Sequence, residues 1–255
     1  MLGLKLLLVA ASVLLSSLAA RRFGHAVGGT LGGLPMIAGP IAGFVLMAAP
    51  VREVQDIALA TLMCLPATAA HLLTFAWTAV RGPWWLALLL AHVAFFAVGL
   101  ALPLLQLQPW PSALLALASL ALAQWLMPRR ELRAAPVPMS ALELGCRVLT
   151  AMAVAWLILR SAGLAPAAWV GLLLALPITG SVLPAFTLPR HGTAATVALI
   201  RGFLRGLLGF VSFFLTLSLV LDRATPGTAY IAAWAAALLV ALALYFWQER
   251  LARRI

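Results

Sequence analysis

Apolar segments of about 20 residues recur along the whole chain, each bounded by charged residues or by Pro/Gly-rich turns. Hydrophobic residues make up 65% of the 255 residues and charged residues only 9%, whereas a soluble domain is about half apolar and a quarter charged. A segment of this length can span the ~30 Å hydrocarbon core of a bilayer as a helix. The sequence therefore predicts an all-α, polytopic membrane protein that forms one membrane domain.

The apolar runs and their breaks predict nine transmembrane helices. The predicted spans are residues 2–20, 26–49, 57–79, 83–105, 111–127, 143–163, 166–188, 195–221 and 228–247. The N-terminal run also resembles a signal peptide, with Lys5 before it and a small-residue cleavage site at residues 17–19. We predict that it is retained as the first helix, because the internal repeat described below uses it.

The distribution of positive charge predicts an orientation. The net charge is +11, but the Lys and Arg residues are scattered among the spans and form no basic patch, so we expect no nucleic-acid partner. With nine spans, ten arginines fall on one side of the membrane, and Lys5 with three arginines falls on the other. The positive-inside rule then predicts a bacterial-type inner (plasma) membrane protein with its N-terminus outside and its C-terminus in the cytoplasm.

Sliding the chain against itself by 142 residues aligns the spans and several residues, among them Leu34-Pro35 with Leu176-Pro177. The prediction is a first repeat of four helices (1–105), a linker helix with a cytoplasmic loop (106–140) and a second repeat of four helices (141–255). Five helices separate equivalent positions, so the second repeat is inverted in the membrane, as in many secondary transporters. The alternative is that hydrophobic sequences match one another by chance.

The second and seventh spans are predicted to be broken helices. Pro35, Gly39 and Pro40 interrupt the second span, and residues 177–184 interrupt the seventh, where Pro177, Thr179, Gly180 and Ser181 supply the break and its hydroxyl groups. Unwound carbonyl groups and half-helix N-termini are typical substrate and ion sites of transporters, so these residues are candidate substrate-binding residues. The alternative is close helix packing through small residues.

Arg201 and Arg205 lie four residues apart, on one face of the eighth span, below its cytoplasmic start. Ionisable groups inside a membrane are costly, and this favours a functional role, here attraction of an anionic substrate. The alternative is that both guanidinium groups reach the cytoplasmic head groups.

Three further residues are candidates for proton coupling. His71 and His92 occupy the interiors of the third and fourth spans, and an imidazole has an ordinary pKa near 6.5. Glu143 lies close in predicted depth to the two arginines, and its spacing to Arg147 also predicts a structural i,i+4 salt bridge. For the histidines, the alternative is a neutral ring hydrogen-bonded between helices.

The sequence contains no GxSxG, HExxH or GxxxxGK motif, and Cys64 and Cys146 lack metal-ligand spacing. We therefore expect no enzyme activity, no cofactor and no metal.

The predicted function is a small permease that works by alternating access around the broken helices. Its expected partners are the lipid bilayer, a small anionic molecule or lipid head group, and a second copy of the chain. The alternative is a non-transporting membrane subunit or assembly protein that docks other helices through its glycine-rich faces.

Overall fold

A computed structural model describes residues 2–11, 14, 30–129, 140–161 and 164–252, and every regular element in these ranges is helical. The elements in chain order are α1 (Leu2–Ala11), α2 (Ala38–Leu46), α3 (Val51–Met63), α4 (Leu65–Thr78), α5 (Trp84–Ala101), a 3-10 turn (Leu102–Leu105), α6 (Pro109–Leu126), α7 (Ala141–Ser161), α8 (Ala167–Ala175), α9 (Ile178–Val220) and α10 (Pro226–Ala252).

Proline determines where most of these helices begin. The first turn of a helix has N–H groups without intrahelical partners, so a residue that lacks an N–H is tolerated there. A proline precedes or opens α3, α5, α6, α8, α9 and α10, at Pro50, Pro83, Pro109, Pro166, Pro177 and Pro226.

Six helical stretches are long and apolar enough to cross a membrane, as expected for a membrane protein. They are Val51–Thr78, Trp84–Ala101, Pro109–Leu126, Ala141–Arg160, Ala167–Val220 and Pro226–Phe246. The nine predicted spans differ from these six at three places. The first and second predicted spans correspond to shorter helices, Leu2–Ala11 and Thr30–Leu46, and residues 12–13 and 15–29 between them lie outside the described residues.

The third difference is that the predicted seventh and eighth spans run together in Ala167–Val220. These 54 residues would measure about 80 Å as one straight helix, far more than the ~30 Å hydrocarbon core. The stretch is not straight, because Gly192 within it has a φ of 76° and a ψ of 179°. That backbone conformation is readily accessible only to glycine.

Burial divides the helices into an inner and an outer set. The most hydrophobic windows of Val51–Thr78 and Ala167–Val220 are 72% and 61% buried, whereas those of Trp84–Ala101 and Pro226–Phe246 are each 22% buried. The long helix α9 packs on α3, α4, α5, α6, α7 and α10. The outer helices therefore present apolar side chains to the surroundings, and the inner set carries both helix breaks of the candidate site.

Glycines let the backbones of the inner helices approach one another. A Cβ atom added at Gly206 of α9 would overlap the carbonyl oxygen of Thr30, and one added at Gly171 of α8 would lie 2.7 Å from the backbone nitrogen of Thr61 in α3. The atoms in contact are backbone atoms and the Cβ atom of Ala60, whose position the backbone fixes, so a rotamer change of a side chain would not relieve either overlap.

We expect Gly206→Ala to destabilise the fold by about 1–3 kcal/mol, since the added methyl group must push two helices apart. Gly145→Ala in α7 is the matched control, because none of the described residues outside its own stretch of helix comes within 4 Å of its Cβ position and alanine is the better helix former by up to ~1 kcal/mol. Thermal unfolding in detergent should therefore show opposite shifts of Tm. Equal shifts for the two variants would contradict the packing described here.

Candidate functional site

The first break lies at residues 34–37. Residues 30–33 are helical, Leu34 and Pro35 leave the helical conformation, and α2 restarts at Ala38. The sequence places the break at residues 35–40, so Gly39 and Pro40 are corrected to the first turn of α2, where the missing N–H of Pro40 leaves no hydrogen bond unmade. The Gly39 N–H donates to the carbonyl oxygen of Pro35 at 2.7 Å.

The second break is shorter and lies at Leu176 and Pro177, between α8 and α9. The sequence predicts an interruption as far as residue 184, but Thr179, Gly180 and Ser181 lie in the first turns of α9, and Pro184 is inside that helix. The freed carbonyl group of Ala175, the last residue of α8, accepts a hydrogen bond from the buried Thr68 hydroxyl group at 2.7 Å.

Both breaks line one cavity of about 40 Å³. Leu34, Ile37 and Ala38 contribute from the first break, and residues 173–179 from the second, together with Thr68 and Phe203. Within the described part of the chain, the only polar side chains of the lining are those of Thr68 and Thr179. A space of this size holds no more than a few water molecules, so the breaks meet in a small and mostly apolar pocket.

Arg201 and Arg205 do not line this cavity. The Arg201 guanidinium donates to the carbonyl oxygens of Met127 at 3.1 Å and Pro128 at 3.3 Å, just beyond the C-terminus of α6. A cation at this end of a helix satisfies free carbonyl groups and interacts favourably with the helix dipole. Arg205 is half-buried one turn further along α9. The geometry gives Arg201 a structural role as an anchor between α9 and α6.

Glu143 and Arg147 form the i,i+4 salt bridge that the sequence predicts, with 2.7 Å between Oε1 of Glu143 and a guanidinium nitrogen. Both residues are buried. The carboxylate thus pairs within α7 rather than with Arg201 or Arg205. A buried pair of this kind contributes little net stability, but breaking it leaves an uncompensated charge.

His71 and His92 lie together at the contact of α4 and α5. Their rings meet edge to face, with centroids 4.8 Å apart and an angle of 87° between the planes. Nε2 of His71 lies 3.2 Å from the Ser181 hydroxyl oxygen, and Nδ1 of His92 lies 2.8 Å from the carbonyl oxygen of Leu88. His71 is completely buried. The sequence places both histidines inside the protein, but not their contact or the hydroxyl group beside them.

Thr68 is the residue of this site that the sequence does not reveal. It precedes His71 by three residues and so shares its helix face, but nothing local indicates that Ala175, 107 residues away, supplies its acceptor. Among the described residues, no group of three His, Cys, Asp or Glu side chains is placed to hold a metal ion.

No family model, no curated protein and no solved structure matches this chain. The candidate site consists of two helix breaks, the cavity between them and the pair of histidines beside the second break.

We expect Thr68→Val to destabilise the protein by about 1–3 kcal/mol, because the isosteric side chain leaves the buried carbonyl group of Ala175 without this donor. Thr61→Val is the matched control. Thr61 is equally buried, but its hydroxyl group bonds to the Ile57 carbonyl group of its own helix, so its loss should change stability little. Unfolding free energies of the two variants, measured in detergent, provide the test. A Thr68 variant as stable as the Thr61 variant would remove the anchoring role of Thr68.

Proposed function

We propose that this protein is a small inner-membrane permease, a secondary transporter in which paired broken helices give alternating access to a central cavity. The observation that carries the proposal is that the two breaks line the same buried cavity. The proposal includes nine crossings, with the N-terminus outside, and two inverted repeats of four helices around the linker helix α6.

The positions of the helix ends support the repeat. Four boundaries recur at a spacing of 142 residues: the breaks at Leu34 and Leu176, the non-helical residues Pro50 and Gly192, the last helical residues Thr78 and Val220, and the first helical residues Trp84 and Pro226. The corresponding helix pairs also pack alike, α4 on α5 and α9 on α10. Chance similarity between apolar sequences gives no reason for the breaks and helix ends to coincide.

Contacts at the two breaks fall at equivalent positions of the proposed halves, as expected of a two-fold relation. Leu34 of the first break packs on Gly209. Leu176 of the second break packs on a cluster that includes Ala67. Leu34 and Leu176 are 142 residues apart, and so are Ala67 and Gly209.

Long-range hydrogen bonds support nine crossings, because each joins positions that this topology places at the same end of the bundle. At the cytoplasmic end, the bonds run from Trp77 to Leu126, from Thr193 to Ala79 and from Arg201 to Met127. At the outer end, Gln55 donates to the carbonyl oxygen of Ser218 at 2.8 Å. The Thr193 and Ser218 contacts support two crossings within Ala167–Val220, with a turn near Gly192.

The mostly apolar lining favours a small, weakly polar substrate. The anionic substrate that Arg201 and Arg205 suggest is not part of the proposal, because Arg201 binds carbonyl groups of the chain and neither arginine lines the cavity.

The alternative function is a subunit that docks other helices through glycine-rich faces. It finds little support, because Gly33, Gly171 and Gly206 pack against the chain itself. Transport also requires the cavity to enlarge and open in turn to each side.

Nine crossings predict that Arg190 and Arg223, both exposed, lie on opposite sides of the membrane. In a background of Cys64→Ala and Cys146→Ala, Arg190→Cys should react with an impermeant maleimide only in inside-out vesicles, and Arg223→Cys only in right-side-out vesicles. Arg129→Cys and Arg52→Cys serve as references for the two sides. Labelling of both test cysteines from the same side would contradict the proposed topology.

Alternating access predicts that a cysteine in the cavity reacts from both sides. In the same background, Thr179→Cys should be labelled by a small impermeant reagent in both vesicle orientations, and Pro35→Ala or Pro177→Ala should slow the labelling, since a continuous helix resists the motion.

Thr187→Cys is the matched control, because Thr187 is a buried threonine of the same helix that does not line the cavity. It should stay unlabelled from both sides. Reaction of the Thr179→Cys variant from one side only, or from neither, would refute alternating access and leave a membrane subunit with a fixed cavity.

A further inference from the structure

The histidine cluster, defined as His71, His92 and Ser181, is a polar group in the apolar interior of the bundle. Nδ1 of His71 makes no hydrogen bond within the part of the chain that the structure describes, and backbone groups of Ala91 and Gly180 lie beside the ring as potential acceptors. Burying polar groups in this way is unfavourable unless they are paired. Packing alone gives no reason for two imidazoles and a hydroxyl group at this place.

The other half of the chain has an aromatic pair and a small residue at the equivalent positions. Phe213, Trp234 and Gly39 stand 142 residues from His71, His92 and Ser181, respectively. The rings of Phe213 and Trp234 also meet edge to face, with centroids 5.3 Å apart and planes at 71°. The Trp234 ring packs on Gly39, which follows the first break as Ser181 follows the second.

The first half differs from the second at these positions by its two imidazole groups and the Ser181 hydroxyl group. In the second half, an aromatic pair packs on a small residue beside Tyr230, whose hydroxyl group donates to the Gly39 carbonyl oxygen at 3.2 Å. This set contains no imidazole, so a similar set would suffice in the first half. The first half instead has nitrogen and oxygen atoms that bind hydrogen. The difference between the halves points to a ligand and not to a requirement of the fold.

The hydrogen bonds indicate that this ligand is a proton. Nδ1 of His92 faces a carbonyl oxygen, so Nδ1 carries the hydrogen, and Nε2 of a neutral His92 is left as an acceptor. The groups that face His71 are His92 and Phe95 from α5 and Ser181 from α9. Among the described residues, His92 is the only group whose charge acts on His71.

We propose that the histidine cluster binds a single proton, shared by His71 and His92, and that this proton is the coupling ion of the transporter. One proton is expected because two positive rings with centroids 4.8 Å apart repel each other, so the second protonation is disfavoured. The binding site is independent of the function proposed above, whereas the coupling depends on it.

Two residues, Ser181 and Thr68, link the histidine cluster to the second break. Ser181 lies four residues after Pro177, and Thr68, one turn before His71, holds the carbonyl group of Ala175. With a proton on Nε2, His71 donates to the Ser181 oxygen. When that proton leaves Nε2, Ser181 becomes the donor. Protonation of His71 therefore reverses the direction of this hydrogen bond. The change acts on the first turns of α9, where Ile178 and Thr179 line the cavity.

The test replaces the cluster with its apolar equivalent. The variant His71→Phe/His92→Trp/Ser181→Gly recreates the set of the second half, and His71→Gln/His92→Gln is a smaller change should the first variant fail to fold. Potentiometric titration of purified protein between about pH 4 and 8, around the ordinary histidine pKa, should show one proton fewer per chain than in the wild type. His25 and His191 are present in all of these proteins, so any contribution from them cancels in the difference.

A difference of zero protons would overturn the proposal, because the pair would then stay neutral, and a difference of two would overturn it because the histidines would be independent. His191→Gln is the matched control for coupling. It should leave the pH dependence of labelling at the Thr179→Cys position unchanged, whereas the cluster variants should reduce that dependence to the part caused by ionisation of the thiol itself, which the exposed Arg190→Cys variant measures.

The same measurements separate the two proposals. Labelling from both sides with no difference in proton count overturns the proton site and leaves alternating access standing. A difference of one proton with labelling from one side only supports the site and refutes transport, and with it the coupling. A pH dependence of labelling that exceeds thiol ionisation and persists in the cluster variants overturns the coupling alone.

Discussion

A broken helix in an apolar surrounding persists only where the backbone groups that it frees find partners within the protein. At the second break, the Thr68 hydroxyl group supplies that partner for the carbonyl group of Ala175. At the first, the chain closes on itself, with the Gly39 N–H bonded to the Pro35 carbonyl group. The inner helices pack closely around both breaks through glycines such as Gly171 and Gly206, and the cavity, the histidine cluster and the course of α9 all depend on this arrangement.

The two halves of the proposed repeat have similar geometry at this position but differ in chemistry. His71 and His92 pack edge to face as Phe213 and Trp234 do, yet only the first pair can bind a proton. In an inverted repeat, a strictly symmetric pair of sites would bind its ligand twice. Imidazole groups in one half alone give a single candidate site beside the cavity, as the proposed carrier with one coupling ion per cycle requires.

Local chemistry made part of the fold and site predictable. Proline lacks a backbone N–H, and this affects a helix only locally, so the prolines mark the helix starts and both breaks. The i,i+4 spacing of Glu143 and Arg147 is likewise enough to predict their salt bridge. The predicted breaks extended too far toward residues 40 and 184, since proline is tolerated in the first turn of a helix and Pro184 is accommodated inside α9. The role of Arg201 was not predictable, because its acceptors, Met127 and Pro128, are more than 70 residues away.

The sequence by itself determined the membrane class, the helical content and the approximate positions of the breaks, because hydrophobicity and proline chemistry are properties of short segments. The tertiary structure alone decided that the breaks share one small apolar cavity, that Arg201 anchors α6, and that two histidines from neighbouring helices meet Ser181 from a third. These features depend on which helices are neighbours and on their rotation about their own axes. The packing of the whole bundle fixes both, and no short segment encodes either one.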